Sequence, residues 1–332
     1  MRTGWLSHRS AGLWGLGLGL LLCTSTAHAL CSVTAPVSPT FGQVSSVLVR
    51  TTVQATSTTS GALTCTGSLL TLLGANDHFY LTVTSSKTGL QVGSSGAVIG
   101  YTLYANNSTS YPITRGTPFD FARNSLIDLL GLVGSSTPKS VPLYLRTMVG
   151  SNVPAGLYTE DLTLAWSWNY CSGIGIGAIC LGRDIGSGSA TLTVTLQVTN
   201  DCQITAPDLA FGSAPLVIGF ATVNSSVSIS CTLGSAYTVG LSDGAQAASA
   251  GGRRRMVSGS NYLAYDLFKG AGAVRWGSTG AGRRNSSDAE VNPGNGTGTG
   301  SQVFNYNAKV YTDQATPPAG TYMDSVIVDV AF

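Results

Sequence analysis

The chain contains an internal duplication, and this repeat limits the possible folds more than any other feature. Residues 31–36 read CSVTAP, and an FG pair follows at positions 41–42. Residues 202–207 read CQITAP, and an FG pair follows at positions 211–212. Self-similarity of this kind indicates a chain built from two copies of one structural unit.

The two copies also close with the same pattern. Residues 153–164 (VPAGLYTEDLTL) match residues 317–328 (PPAGTYMDSVIV) around a shared Pro-Ala-Gly-x-Tyr core. We therefore predict two domains of one fold, a first copy over residues 30–200 and a second copy over residues 201–332.

Short runs of alternating polar and apolar residues predict the secondary structure. Such runs occur at residues 80–84, 192–198 and 325–330, where Val, Thr and Leu alternate between Gly, Pro and Asn clusters. Period-two alternation with β-branched residues is typical of half-buried strands. No long segment has a sustained helical period, so the sequence predicts an all-β sandwich for each copy.

Residues 1–29 are predicted to be a secretory signal peptide. An apolar run over residues 11–23 follows two arginines, and residues 27–29 (AHA) form an A-x-A cleavage site. The mature chain is then expected to begin at Leu30. No later run reaches the roughly 20 apolar residues that a membrane-spanning helix needs, so we expect an exported, soluble protein.

The cysteines predict three disulfides. The chain has seven cysteines, of which Cys23 leaves with the signal peptide, and the remaining even number is typical of disulfide pairing in an exported protein. The repeat selects the equivalent pairs, and the two cysteines outside it pair with each other. The predicted disulfides are Cys31 with Cys65, Cys202 with Cys231, and Cys171 with Cys180.

Charge and motifs argue against several classes of function. A net charge of +2 gives no electrostatic reason to bind nucleic acid or a polyanionic membrane surface. The arginines at 253–255 and 283–284 lie among Gly and Ser, so we predict that they lie in solvated loops. His78 is the only mature histidine, and no nucleophile, metal-site or phosphate-loop spacing accompanies it. We expect no enzymatic activity and no cofactor.

The copies differ in their last strand. The first copy continues past its Pro-Ala-Gly-x-Tyr strand to a further strand over residues 191–199, whereas the second stops at Phe332. A sandwich without its last strand has an open edge and an unfilled core, and should be unstable or aggregation-prone alone. The residues predicted to form that edge are Val326, Val328, Val330 and Phe332.

The repeated residues resemble the spore coat U domain family, which includes the pilins of archaic (Csu-type) chaperone–usher pili. The resemblance covers the second copy best, from residues 202–205 to the terminal strand over residues 326–332. The resemblance implies immunoglobulin-like sandwiches that lack their final strand. It also implies three partners: a periplasmic chaperone that lends a strand, an outer-membrane usher, and the next pilin, whose N-terminal extension replaces the lent strand in the fibre.

A subunit that accepts a strand without donating one can occupy only the tip of such a fibre. Leu30 alone precedes Cys31 after the predicted cleavage site, so no donor extension is expected. Two domains, no extension and an incomplete second copy together resemble the tip adhesin of archaic pili. The resemblance implies export through the periplasm to the cell surface.

Three apolar segments distinguish the first copy and are predicted to be surface-binding loops. The second copy has short or polar connections at the first two positions and lacks the third loop. Exposed apolar clusters mark binding surfaces, and hydrophobic finger loops are a property of the resembled adhesins. The predicted contact residues are Leu69, Leu70, Leu72, Leu73, Leu126, Ile127, Leu129, Leu130, Leu132, Val133, Ile174, Ile176 and Ile179. We expect them to bind hydrophobic, abiotic surfaces and to support biofilm formation.

Two alternatives remain open from the sequence. Each apolar segment taken singly is equally compatible with core packing, because short apolar runs are ambiguous. A carbohydrate-binding tip subunit, with a polar pocket on the first copy, is the other alternative. Trp166 and Trp168 lie on one face of a predicted core strand, so we expect them to pack in the core rather than to form a sugar-stacking platform.

Overall fold

The structure is a computed structural model that describes residues 30–66, 76–93, 96–123, 126, 139–176 and 179–332. The predicted signal peptide lies outside these residues. Strands are the main regular structure of the described chain, as the alternation predicts, and they form two immunoglobulin-like sandwiches. No helix of the described part is long and apolar enough to cross a membrane.

The described residues of the first copy form fourteen strands, and a short helix lies between the second and the third of them. Its strands are β1 (Leu30–Val33), β2 (Thr40–Ser45), β3 (Ala55–Ser57), β4 (Leu63–Thr66), β5 (His78–Thr84), β6 (Leu90–Gln91), β7 (Val98–Ile99), β8 (Tyr101–Tyr104), β9 (Pro112–Ile113), β10 (Phe119–Asp120), β11 (Lys139–Ser140), β12 (Tyr144–Thr147), β13 (Gly156–Ile176) and β14 (Ile179–Thr199). The helix, α1 (Ser46–Thr51), is capped by the Ser45 hydroxyl, which accepts from the Leu48 N–H at 3.3 Å.

The second copy contains eight described strands and three short 3-10 helices. The strands are β15 (Cys202–Thr205), β16 (Val223–Cys231), β17 (Thr238–Leu241), β18 (Arg254–Ser258), β19 (Asn261–Lys269), β20 (Arg284–Asn285), β21 (Gln302–Val310) and β22 (Val328–Ala331). The 3-10 helices are Val217–Gly219, Gly280–Gly282 and Ser286–Asp288.

The first-copy sandwich packs the sheet β10-β5-β13-β14-β2 against strands β3-β12-β8-β9, with β1-β4-β11 at one side. Inward residues alternate along each strand: Phe79, Leu81 and Val83 of β5 are all buried. Trp166 and Trp168 of β13 are buried as well, and the Trp166 indole N–H donates to the Gly61 carbonyl at 2.7 Å. Both tryptophans therefore pack in the core, as expected from the sequence.

Strand β14 completes this sandwich. It pairs antiparallel with β13 and parallel with β2, so it fills the place between these two strands. Its inward side chains are fully buried between the sheets; they are Leu192, Val194, Leu196 and Val198.

The second-copy sandwich has a sheet β15-β16-β21-β19-β18 facing a shorter sheet β20-β17-β22. Its core is built around Trp276, Phe304 and Tyr306, and the Trp276 indole N–H donates to the Val239 carbonyl at 3.0 Å. Strand β22 pairs with β17 in the register that β13 adopts with β5 in the first copy: Val330 faces Val239 as Trp166 faces Leu81.

Equivalent local contacts in the two copies confirm the duplication. The Tyr158 hydroxyl donates to the Pro154 carbonyl at 2.8 Å, and the equivalent Tyr322 donates to Pro318 at 2.7 Å. The glycine of each FG pair has a positive φ, 77° and 78°, which favours glycine at this bend. All three predicted disulfides are present: Cys31–Cys65, Cys202–Cys231 and Cys171–Cys180.

Two arginines contradict the prediction of solvated arginine loops: Arg284 of β20 is 5% exposed, and Arg254 is buried more deeply. Arg254 lies on β18 and is 0% exposed; its guanidinium donates to Asp266 at 2.6 Å and to the carbonyls of Leu241 and Trp276. Burial lowers the pKa of Arg254. A guanidinium with this many acceptors can be buried, because each N–H replaces a hydrogen bond to water.

Replacing Leu196 by alanine should lower the free energy of unfolding of the first-copy sandwich by about 2–5 kcal/mol, because it leaves a cavity between the sheets. Urea unfolding of the purified full chain measures this. Ile185→Ala is the matched control, since Ile185 lies on the same strand and is 69% exposed; its effect should stay within about 0.5 kcal/mol. Equal effects of the two substitutions would contradict the role assigned to β14.

Candidate functional site

The third predicted loop lies at the end of a long hairpin. Strands β13 and β14 have 21 residues each and stay paired almost to the turn. Ile174 pairs with Leu181, and Ile176 pairs with Ile179, after a register shift beyond Cys171. The Cys171–Cys180 disulfide joins the two strands just before the turn, so the three isoleucines lie beyond a covalent cross-link.

The first two predicted loops fall largely outside the described residues. These positions are Leu69, Leu70, Leu72, Leu73, Ile127, Leu129, Leu130, Leu132 and Val133. The residues that flank them are described, and their pairing shows where each loop leaves the sandwich.

The flanks of all three segments lie at one end of the first-copy sandwich. Thr66, before the first loop, is adjacent to Cys65, which pairs with Lys139, the first described residue after the second loop. His78, after the first loop, pairs with Asn169 of the hairpin. The Phe121 N–H, before the second loop, donates to the Phe79 carbonyl at 3.0 Å.

The structure contradicts the prediction that Leu126 is a surface-contact residue. Its side chain is 3% exposed and belongs to the core of the first copy, and its N–H donates to the Phe121 carbonyl at 3.2 Å. Leu126 therefore packs inside the sandwich and is not available to a surface. The sequence could not separate it from its neighbours, because a short apolar run gives no direction to individual side chains.

A polar collar surrounds the base of the hairpin. The Arg183 guanidinium donates to Asp77 at 2.7 Å and to the Asn169 side chain at 2.8 Å. The His78 ring stacks on Tyr80 with centroids 4.4 Å apart. The Arg183–Asp77 contact ties the hairpin to the residue before β5, and the His78 ring packs against a neighbour on its own strand.

Ile185 is a surface residue that the sequence analysis missed. It follows the collar on β14 and is 69% exposed. The alternation along β14 could have indicated its exposure, because residue 185 is out of phase with the buried residues 192, 194, 196 and 198. In the structure, Ile185 pairs with Asn169 on the outward face of the hairpin.

The second candidate region is the open edge of the second copy. Among the described strands, β22 pairs only with β17, so its other edge has no partner. Val326, Val328 and Val330 are partly buried against the core, while Phe332 is 57% exposed. Residues 157–163 of the first copy are strand, whereas the equivalent residues 321–327 are not assigned to one.

A groove of about 320 Å³ lies beside the segment that precedes β22. One wall is the segment 212–217 after the FG pair, and the other wall is the segment 316–320 with Tyr322. Phe220 and Leu263 contribute apolar floor residues. In the first copy, the equivalent place between the FG segment and the Pro-Ala-Gly-x-Tyr strand is filled by β14.

A carboxylate lies beside this place in both copies. Glu160 of the first copy and Asp324 of the second occupy equivalent positions two residues after the shared tyrosine. The Tyr265 hydroxyl donates to Asp324 at 2.8 Å. Burial, and after it the Asp324 carboxylate, raises the pKa of Tyr265, so the phenol remains a hydrogen-bond donor at physiological pH.

No group of His, Cys, Asp or Glu side chains in the described part of the chain could hold a metal ion. Both regions offer apolar contact, and the edge of the second copy also offers backbone pairing.

Two solved structures are similar to the chain. The first is the CsuC–CsuE chaperone–tip adhesion subunit pre-assembly complex from archaic chaperone-usher Csu pili of Acinetobacter baumannii. The matched chain is 27% identical, the TM-score is 0.62, and the alignment covers 91% of this chain and 100% of that one. The second is the CupB6 tip adhesin from Pseudomonas aeruginosa, at 14% identity and a TM-score of 0.30, with 91% and 94% covered. No curated protein sequence matches the chain.

The profile of the Spore Coat Protein U domain matches residues 18–165 and residues 189–329. The two matches follow the two copies of the repeat and together cover most of the chain. The chain belongs to the Spore Coat Protein U domain family.

Proposed function

We propose that this protein is the tip adhesin of a chaperone–usher pilus, with residues 30–200 as the adhesive domain and residues 201–332 as the domain anchored in the fibre. The observation that carries the proposal is the contrast between the copies: β14 fills the last-strand place in the first, and no described strand fills it in the second. The family and the structural similarity to the Csu pre-assembly complex support a non-enzymatic pilus adhesin.

Anchoring proceeds by strand addition at β22. An extended segment of another protein pairs with the free edge and places alternate aliphatic side chains against Val326, Val328 and Val330. A periplasmic chaperone supplies this segment before assembly, and the neighbouring pilin supplies it after transfer at the outer-membrane usher. The groove beside Tyr322 receives one side chain of the added strand.

Adhesion proceeds through the apolar end of the first copy. The hairpin tip and the two leucine-rich loops leave the sandwich at the same end, so their apolar residues meet a surface together. Each aliphatic side chain that becomes fully buried contributes about 1.5–3 kcal/mol, and several contacts per tip hold it without a chemically specific receptor. Many pili per cell multiply a modest affinity and favour biofilm formation on hydrophobic, abiotic surfaces.

Appending a second copy of residues 187–199 after Phe332 through a glycine–serine linker should complete the second sandwich. The added strand pairs with the free edge, so amide hydrogens of residues 322–332 should exchange at least about tenfold more slowly. Hydrogen–deuterium exchange of the full chain with and without the extension measures this.

The control extension carries serine in place of the three residues copied from Leu192, Val194 and Leu196. It keeps the backbone donors and acceptors but loses the apolar contacts, and it should protect the segment far less. Equal protection by both extensions, or protection by neither, would overturn strand acceptance at β22.

Replacing Ile174 and Ile176 together by threonine should reduce attachment of piliated cells to polystyrene by at least about tenfold, because two buried aliphatic contacts are lost. Leu129→Ser with Leu130→Ser should act in the same direction. Leu157→Thr is the matched control, since Leu157 lies on β13 but at the opposite end of the strand and is 54% exposed. Pilus number and the melting temperature of the purified protein should not change.

Unfolding of the isoleucine variant would show that the hairpin tip is core, and normal attachment by a folded variant would show that the tip does not adhere. A carbohydrate-binding adhesin predicts a different pattern. In that case a defined sugar would compete with attachment, and the isoleucine substitutions would have no effect on it.

A further inference from the structure

The Glu160 and Asp324 carboxylates are parts of a repeated side-chain group. In the first copy, Phe41 packs edge-on against Tyr101, with ring centroids 6.3 Å apart. The pKa of Tyr101 is raised mainly by burial and also by the Glu160 carboxylate. In the second copy, Phe211 packs edge-on against Tyr265 at 5.7 Å, and Tyr265 donates to Asp324. Tyr101 and Tyr265 also occupy equivalent strand positions, opposite Thr147 and Val310.

The first copy shows what happens to this carboxylate when the last strand is in place. Glu160 pairs with Val194 of β14 and is 0% exposed. The Arg115 guanidinium binds it through two hydrogen bonds, of 2.5 and 2.9 Å, and lies 5.0 Å from the Tyr101 ring. A buried carboxylate is tolerated because a bidentate cation neutralises it.

The second copy has the carboxylate without the cation. Asp324 accepts hydrogen bonds of 2.8 Å from the Tyr265 hydroxyl and from the N–H groups of Ala245 and Ser325. Two of these donors bind Oδ1 and one binds Oδ2, so Oδ2 keeps capacity for a further donor. Asp324 forms no ion pair with any residue that the structure describes, and it is only partly buried.

An incoming strand in the register of β14 places one residue directly opposite Asp324, as Val194 stands opposite Glu160. Directly opposed side chains of an antiparallel pair lie about 4.5–5.5 Å apart at Cβ, close enough for charge to decide the pairing. The same strand removes water from the carboxylate, which strengthens both attraction and repulsion.

We propose that Asp324 is a specificity-determining residue of the acceptor groove: the strand that completes the second copy carries a basic or hydroxyl-bearing side chain opposite Asp324, and a strand with an acidic residue there is rejected. The added side chain supplies the hydrogen bond and charge that Arg115 supplies in the first copy. The inference rests on the proposed strand acceptance, and it goes further by stating the chemistry of one position of the partner.

Fluorescently labelled peptides with the sequence of residues 187–199 test the proposal on the full chain by fluorescence anisotropy. Three peptides differ only at the residue copied from Val194, which is Lys, Val or Asp. The Lys peptide should bind at least about tenfold more tightly than the Asp peptide. The Asp324 carboxylate attracts the lysine and repels the aspartate, and both effects are strong in a contact without water. Binding of the Val peptide should be intermediate.

Asp324→Asn removes the charge and should reduce the Lys-to-Asp ratio to within about threefold. Tyr265→Phe leaves the charge in place and should keep the preference for Lys, so it separates the charge of Asp324 from the packing of the group.

The outcomes distinguish this inference from the proposed function. Equal affinities of the three peptides for the wild-type chain, or an unchanged ratio in Asp324→Asn, would overturn the role of Asp324 while leaving strand acceptance intact. Binding by none of the peptides would overturn strand acceptance, and this inference with it.

Discussion

A strand inside a sheet needs a hydrogen-bonding partner on both edges, and the strand that closes each repeat meets this requirement differently in the two copies. Strand β13 has β5 on one side and β14 on the other, and its inward residues from Tyr158 to Tyr170 are buried. Among the strands that the structure describes, β22 pairs with β17 alone, and the residues before it are not assigned to a strand. Backbone groups without a partner are costly once buried, and this cost favours the proposed addition of a strand at the second copy.

The residues before β22 are nevertheless held in place. Met323 exchanges both backbone hydrogen bonds with Val257, the Ile327 N–H donates to the Ser242 hydroxyl, and Asp324 connects Tyr265 to the Ala245 N–H. These contacts use only one edge of the segment. The other edge is thereby preorganised, which lowers the conformational entropy that an added strand must overcome.

The sequence predicted those features that depend on repetition and alternation. The repeat identified the disulfides, and the alternation identified the buried face of β14 and the packing of Trp166. It could not place Leu126, Arg254 or Asp324, for different reasons. Leu126 lies in a short run without a period, whereas the surroundings of Arg254 and Asp324 come from residues distant in sequence, such as Leu241 for the first and Ala245 for the second. A charged residue is mostly exposed unless such partners are present, and composition cannot reveal them.

The β13–β14 hairpin links the two ends of the first copy. The half of β14 near Thr199 fills the core, and the half near Ile179 forms the cross-linked projection beyond the polar collar. At about 3.3 Å per residue, a paired strand of this length extends roughly 70 Å, more than one sandwich requires. The strand that completes the fold therefore also supports the apolar tip. Backbone pairing between β13 and β14 is unbroken from Gly156 to Cys171, so the cross-linked end is tied directly to the core of the first copy. The same position of the repeat therefore supports a long hairpin in the first copy, whereas among the described strands of the second copy β22 pairs with β17 alone.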